Sequence, residues 1–198
     1  MNVAIICFDG VDELDVIGPF RVFAGADSPE TPVAVSLVTI EPRDAITTSH
    51  GLTINIEDTI NAVNPDIVVI PGGGWNAKGE TSAWAEAERG ALPEVIRDLA
   101  TEGCIIAGVC TGSMLMERAG ILDGRRAITH AGAVDELRES EAIVVPDRIV
   151  DDGNIVTAGG VTSGIDLALH LIARELGDDV ANAVADNIEY QRQDSILS

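Results

Sequence analysis

The chain has 198 residues, 46% hydrophobic but only 3% aromatic, so one domain can bury a core of Val, Ile, Leu and Ala without disulfides or metal. Its formal net charge is −21, with Lys78 as the single lysine. That excess of acid argues against nucleic acid, anionic membranes and any basic recognition patch, and no apolar stretch approaches the roughly 20 residues of a membrane span.

Taken in chain order, short aliphatic runs alternate with helical patterns. Strands are predicted at 2–8 (NVAIICF), 33–40 (VAVSLVTI), 66–70 (DIVVI) and 104–109 (CIIAGV). Residues 12–20 follow the first strand, and their acids and Gly18-Pro19 suggest a helix that starts and then bends at Pro19. Residues 82–101 carry apolar spacing of three and four, with Pro93 starting a second helix inside the segment. Short helices are expected at 111–119 and 133–139, and strands at 143–150 and 154–159, the last two joined as a hairpin through Asp151-Asp152-Gly153. Two helices close the chain, at 163–176 with Ser163 as a candidate cap and at about 178–191. The tail beyond about 191 is expected to fray. Alternation of this kind predicts an α/β fold: a mostly parallel sheet with helices on both faces, in one domain spanning 1–198.

The chemistry concentrates where the fourth strand runs into a helix. Gly108-Val109-Cys110-Thr111-Gly112 has the G-x-nucleophile-x-G spacing of a nucleophile elbow, with sulfur in place of oxygen. Glycines relieve crowding at such a turn, and the following helix N-terminus favours thiolate. The alternative is a buried structural cysteine, which is also the reading for Cys7 and Cys104 in their aliphatic strands. A second signal is Pro71-Gly72-Gly73-Gly74 after the DIVVI strand, where amides can approach a developing anion. No Gly-Lys-Ser/Thr follows, so this is not a phosphate loop. The third is the run Asp12-Glu13-Leu14-Asp15, whose carboxylates by themselves read as caps or a solvated face. Three cysteines without a C-x-x-C form neither a disulfide framework nor a zinc site.

These residues together resemble the ThiJ/PfpI superfamily, whose members have a flavodoxin-like three-layer sandwich akin to class I glutamine amidotransferase domains. The resemblance spans nearly the whole chain: the acid after strand one, Pro71-Gly72-Gly73, the Cys110 elbow, Ala127-Ile-Thr-His130, and Gly159-Gly160-Val-Thr-Ser-Gly164-Ile-Asp166. Leu14 to Pro19 (Leu-Asp-x-x-Gly-Pro) and Val109 to Ser113 (Val-Cys-Thr-Gly-Ser) are most similar to the isocyanide hydratase subgroup. The resemblance implies Cys110 as nucleophile and Asp15 as general acid/base. It implies amides of Gly73 and Thr111, with Gly74 beside them, as substrate-binding groups, and His130 as a further candidate. It implies a hydro-lyase acting on a small isocyanide, with no cofactor and no metal. Cys110 and Asp15 are then expected to share one proton. Thr111 stands where peptidase-like members have histidine, which argues against proteolysis. His170, alone in an apolar helix, reads as a packed residue, and His50 as a loop residue.

Two other readings remain open: a glyoxalase- or deglycase-like enzyme acting on 2-oxoaldehydes with the same cysteine, and a redox sensor. Members of the deglycase-like group usually carry Glu where Asp15 stands. Regulators with this domain continue into a helix-turn-helix, and no basic DNA-reading segment is seen before residue 198. The family implies a homodimer. The N-terminus MNVAIICFDG lacks a basic n-region, and with unpaired cysteines this points to a cytoplasmic location. Acid spread along the chain reads as adaptation to a high-salt cytoplasm, or else as an ordinary acidic surface.

Overall fold

Eight strands line up in one sheet whose central members are aliphatic runs buried on both faces. The computed structural model describes residues 1–56 and 58–192 and the backbone of 196 and 197. In chain order the strands are β1 (Asn2–Ile6), β2 (Ala34–Thr39), β3 (Ala45–Thr47), β4 (Thr53–Asn55), β5 (Asp58–Thr59), β6 (Ile67–Ile70), β7 (Ile105–Val109), β8 (Arg126–Ala127), β9 (Ile143–Val144), β10 (Ile149–Asp151), β11 (Ile155–Ala158) and β12 (Ile196–Leu197). The helices are α1 (Glu13–Ala24), α2 (Ala83–Arg89), α3 (Ala91–Thr101), α4 (Gly112–Arg118), α5 (Val134–Arg138), α6 (Ser163–Leu176) and α7 (Asp178–Asn187).

The main sheet has the order β12-β10-β11-β7-β6-β1-β2-β5, and all its neighbours are parallel except the β10–β11 hairpin. Helices α1, α6 and α7 pack together on one face, and α2, α3 and α4 on the other. This is the expected three-layer α/β sandwich. Ile5, Ile6, Ile67, Ile70 and Ile106 are fully buried between the layers, as strands covered on both faces require.

Several elements differ from expectation, each for a local reason. The 143–150 run divides at Pro146, which has no amide to give a sheet. Its first half pairs with β8 in a separate two-stranded sheet, and only its second half enters the main one. The helix break in 82–101 falls at Gly90, which is left-handed (φ 82°), while Pro93 sits inside the first turn of α3. Helix α1 runs on past Pro19 to Ala24. Pro19 packs against Gly164 of α6, where a Cβ would lie 3.2 Å from the proline ring. The residue at the N-cap of α6 is Thr162, and Ser163 instead donates its hydroxyl to the Gly160 carbonyl. Helix α7 stops at Asn187. The β3–β4 hairpin and the two-residue strands β5, β8 and β12 carry too little pattern to be read from sequence. The expected fraying beyond 191 falls largely outside the described residues.

The sheet order also creates the site. From β1 the chain crosses to β2 on one side and later to β6 on the other, so the connections leaving β1 and β6 diverge. Open α/β sheets bind ligands in the crevice formed there, at the strands' carboxyl ends.

Candidate active site

Three strand ends deliver the predicted residues to this crevice: β1 through α1 brings Asp15, β6 brings Gly72 to Gly74, and β7 brings Cys110. Cys110 has φ 56°, the left-handed backbone of a nucleophile elbow. Its amide donates to the Ala158 carbonyl at 3.0 Å, and its carbonyl accepts the Thr129 hydroxyl at 3.0 Å. Those two bonds over-determine a strained residue. Gly112 is needed just beyond it, since a Cβ there would overlap the Ile70 carbonyl oxygen. Thr129 was not foreseen from sequence, and spacing held no signal for it.

Asp15 is fully buried in the first turn of α1. Its Oδ2 accepts the Gly72 amide at 2.9 Å. Its Oδ1 is buried without a hydrogen-bond partner, and the Cys110 thiol is a neighbour whose interaction lowers the carboxyl's pKa. Burial pushes the carboxyl up to about 7, against the Gly72 and Cys110 hydrogen bonds, with the nearby charge of Asp12 adding to the rise.

Burial also pushes the Cys110 thiol well above its ordinary range, and the Asp15 charge pushes it further. The Thr111 amide and hydroxyl both act in the opposite direction by donating to sulfur. The expectation that the helix after Cys110 would favour thiolate is therefore outweighed. Helix α4 has only seven residues, and desolvation costs a charged sulfur more than one short helix end returns. Asp15 loses its proton first, near 7, so above that the pair holds one proton.

Thr111 links the two glycine-rich elements. Its hydroxyl oxygen accepts the Gly73 amide at 3.1 Å and passes its own proton towards Cys110. The Gly73 amide, expected to meet substrate directly, is thus engaged by Thr111. Gly73 itself has φ 139° and approaches so closely that a Cβ would press on the Gly10 carbonyl at 2.5 Å.

A cavity of about 250 Å³ opens over the sulfur. Gly73, Gly74, Thr111 and His130 line it together with Cys110; Asp15, the other predicted catalytic residue, is fully buried and does not line it. Asp12, Trp75, Asn76 and Val161 also line it, and the sequence had not singled them out as site residues. Trp75 and Asn76 follow the glycine turn directly, which was the available signal for them. The Trp75 indole N–H is fixed by Glu136 at 2.8 Å. His130 accepts the Gly132 amide on Nδ1 at 3.1 Å, which assigns the proton of the neutral ring to Nε2.

The remaining histidines and cysteines lie elsewhere. His170 bonds Asp151 at 2.7 Å across the α6–β10 contact, and exposed His50 pairs with Glu13 at 3.0 Å on a turn. Cys7 is buried and its thiol is pushed up to about 12 by desolvation; half-buried Cys104 is raised for the same first reason. Both behave as structural residues. Among the described residues no cluster of three or more His, Cys, Asp or Glu side chains is placed to hold a metal.

Residues 1–174 match the DJ-1/PfpI family model. The chain belongs to the DJ-1/PfpI family. It is 34% identical over 191 residues to an isonitrile hydratase from Pseudomonas putida, covering 96% of this chain and 78% of that one. It is 28% identical to a deglycase from Pyrococcus abyssi, over 80% of this chain and 89% of that one. A crystal structure of a THiJ/PfpI family protein from Pseudomonas syringae superimposes with TM-score 0.84 at 25% identity, covering 97% of this chain and 76% of that one. The family therefore agrees with the resemblance read from the elbow and the Leu14 to Pro19 run. None of the helices described is long and apolar enough to cross a membrane.

Proposed function

We propose that this DJ-1/PfpI protein is a cysteine-dependent hydro-lyase that hydrates a small isocyanide to an N-formamide. The observation that carries the reading is the buried Asp15 carboxyl set against the Cys110 thiol, with a carboxyl pKa of about 7. A general acid/base is most effective when its pKa lies near the working pH. The likeness to isonitrile hydratase supports the choice of substrate class.

The steps balance with water as the only co-reactant. Asp15 takes the thiol proton as sulfur attacks the terminal isocyanide carbon, forming the C–S bond, and returns that proton to the same carbon. The product is a thioimidate, R–N=CH–S–Cys110. Water, oriented by Asp15, then adds to that carbon, and its protons pass to the nitrogen and to the departing sulfur. Breaking the C–S bond releases R–NH–CHO and restores the thiol. Donors from Thr111 stabilise negative charge on sulfur while it is exposed.

The test is an assay of purified protein at high salt with an alkyl and an aryl isocyanide, reading formamide, with Cys110→Ala as control. Formamide from wild type and none from the variant is the expected result. Absence of formamide alongside lactate formation from methylglyoxal would replace the hydratase with the deglycase-like reading, which similarity to deglycases supports. Inertness toward both, with reversible oxidation of Cys110, would favour the sensor.

We infer that the protein acts in the cytoplasm as a homodimer. Leu14, Ile17 and Phe20 recur every third residue along α1 and are 36–42% exposed, an apolar stripe that a second copy would cover. Light scattering at high salt should give twice the 20.7 kDa chain mass, and Ile17→Asp should halve it. A wild-type monomer would refute this.

A further inference from the structure

We propose that the Cys110 cavity selects neutral substrates and turns away those carrying a carboxylate within a few bonds of the reacting carbon, with Asp12 as the residue that sets this preference. The proposal deepens the hydratase reading by naming its substrate class, and it leans on that reading only for one of the two probes below.

The permanent charge lining the cavity is one-sided, with His130 the titratable base beside it. Asp12 is the carboxylate in its lining, and among the described residues no lysine or arginine lines it. The Asp12 side chain is held in place by the α1 cap, where Oδ1 accepts the Leu14 amide at 3.0 Å. Its charge reaches the reacting groups: it raises the pKa of both Asp15 and Cys110. The nearest cations do not offset it. Arg118 lies over Trp75, 5.9 Å from the ring centre, and is itself paired with Glu136 at 3.2 Å and Glu117 at 3.5 Å. Lys78 follows the lining residue Ala77 but rests on Trp84 at 5.8 Å. His50 is beside Asp12 but belongs to Glu13.

Three amides beside the reacting pair are already committed. A substrate carboxylate is normally met by an arginine fork or a nest of free amides. Here the Gly72 amide is given to Asp15 at 2.9 Å and the Gly73 amide to Thr111 at 3.1 Å. The Leu14 amide is taken by Asp12 itself. An incoming anion would face one fixed carboxylate, a second that ionises near neutrality, and no uncommitted donor among these. Neutral heads meet none of that repulsion, and Trp75 and Asn76 line the cavity beside them.

The experiment uses matched pairs that differ chiefly in charge. Ethyl isocyanoacetate and isocyanoacetate present the same isocyanide carbon, one neutral and one anionic. Iodoacetamide and iodoacetate alkylate a thiolate in the same way, forming a C–S bond and expelling iodide. Their rates at Cys110, followed by mass spectrometry of its peptide, need no hydratase activity. Rates are normalised to those with N-acetylcysteine, and Asp12→Asn is compared because asparagine keeps the helix cap. Wild type should favour the neutral member of each pair at least tenfold at low salt. Asp12→Asn should shrink that ratio at least threefold, and 1 M KCl should shrink it too through screening. A normalised wild-type ratio near one, or a ratio that Asp12→Asn leaves unchanged, overturns the proposal. If neither isocyanide reacts while alkylation keeps the charge preference, the selectivity stands and the hydratase reading falls. If both isocyanides are hydrated at equal rates, the hydratase reading stands and the selectivity falls.

Discussion

The Gly72 amide donates to Asp15 Oδ2 at 2.9 Å, so the first residue of the glycine turn fixes the carboxyl that neighbours Cys110 and leaves its Oδ1 buried without a partner. One hydrogen bond thus ties the end of β6 to the first turn of α1. The arrangement makes the pair's titration visible. Asp15 releases its proton near 7 and the thiol much later, so the state with one shared proton exists above 7. We expect kcat/KM for an isocyanide to rise about tenfold per pH unit below 7 and to level off above it. Asp15→Asn should lose turnover at least about a hundredfold while its thiol, freed of the carboxylate, alkylates faster. Unimpaired turnover would remove Asp15 from the mechanism.

The same shift has a stability consequence with a definite sign. A carboxyl raised from 3.8 to about 7 makes the folded state bind the extra proton between those values. Its favourable contribution is complete below the unfolded pKa and is lost as pH rises through 7. Asp15→Asn should therefore melt above wild type at pH 8, with the gap closing towards pH 4. A gap that widens on acidification would contradict the burial argument.

Thr111 carries a double duty that a shape-matched substitution separates. Thr111→Val keeps the volume but strands the buried Gly73 amide, which gives its hydrogen bond to Oγ1 at 3.1 Å. The cost should be about 1–3 kcal/mol in urea unfolding. Sulfur also loses one of its two donors from this residue, so kcat/KM should fall by roughly tenfold to a hundredfold. Thr111→Ser should restore most of both. A serine variant as slow as valine would show that the hydroxyl alone does not carry the effect.

What sequence could and could not foresee follows from range. Cys110, Gly112 and Thr111 lie within three positions, and the elbow's sterics are local, so spacing exposed them. The aliphatic runs of β1, β6 and β7 announce burial in their own composition. Asp15 was singled out by resemblance, because its role depends on Gly72 and Cys110, distant in sequence. Trp75 and Val161 share a cavity only after the sheet is assembled, and no periodicity encodes that. The break at Gly90 instead of Pro93 has a different cause: proline is at home in a first helical turn, whereas a left-handed residue ends a helix.

Asp151 offers a test far from the site. Its Oδ1 accepts the Gly153 amide at 2.9 Å, and its Oδ2 accepts His170 at 2.7 Å and Arg174 at 2.9 Å, stapling the β10–β11 hairpin to α6. Burial works against the charge, yet His170, Gly153 and Arg174 together hold the carboxyl below its ordinary value. The stability it adds is present above the unfolded value of about 4 and is lost as pH falls through the folded one. Asp151→Ala should cost about 2–3 kcal/mol at pH 7, leaving kcat nearly unchanged because His170 lies outside the cavity. The deficit should narrow below pH 4. A deficit independent of pH would assign the loss to packing instead of charge.

The net charge of −21 sets a condition on every measurement above. Thirty-three acids against twelve basic residues repel one another across a 20.7 kDa fold, and that repulsion falls as the Debye length shrinks from about 10 Å at 0.1 M salt to about 3 Å at 1 M. If the acid is an adaptation to a saline cytoplasm, the melting temperature should climb steeply with KCl, by on the order of 10 °C between those concentrations, equivalent to about 3 kcal/mol for a chain of this size. Sucrose, which favours burial without screening, separates the two causes. An equal rise in sucrose at low salt would make exclusion of cosolute sufficient. A protein fully stable in dilute buffer, with no response to KCl, would show that its surface charge is carried without cost and that salt has no structural role.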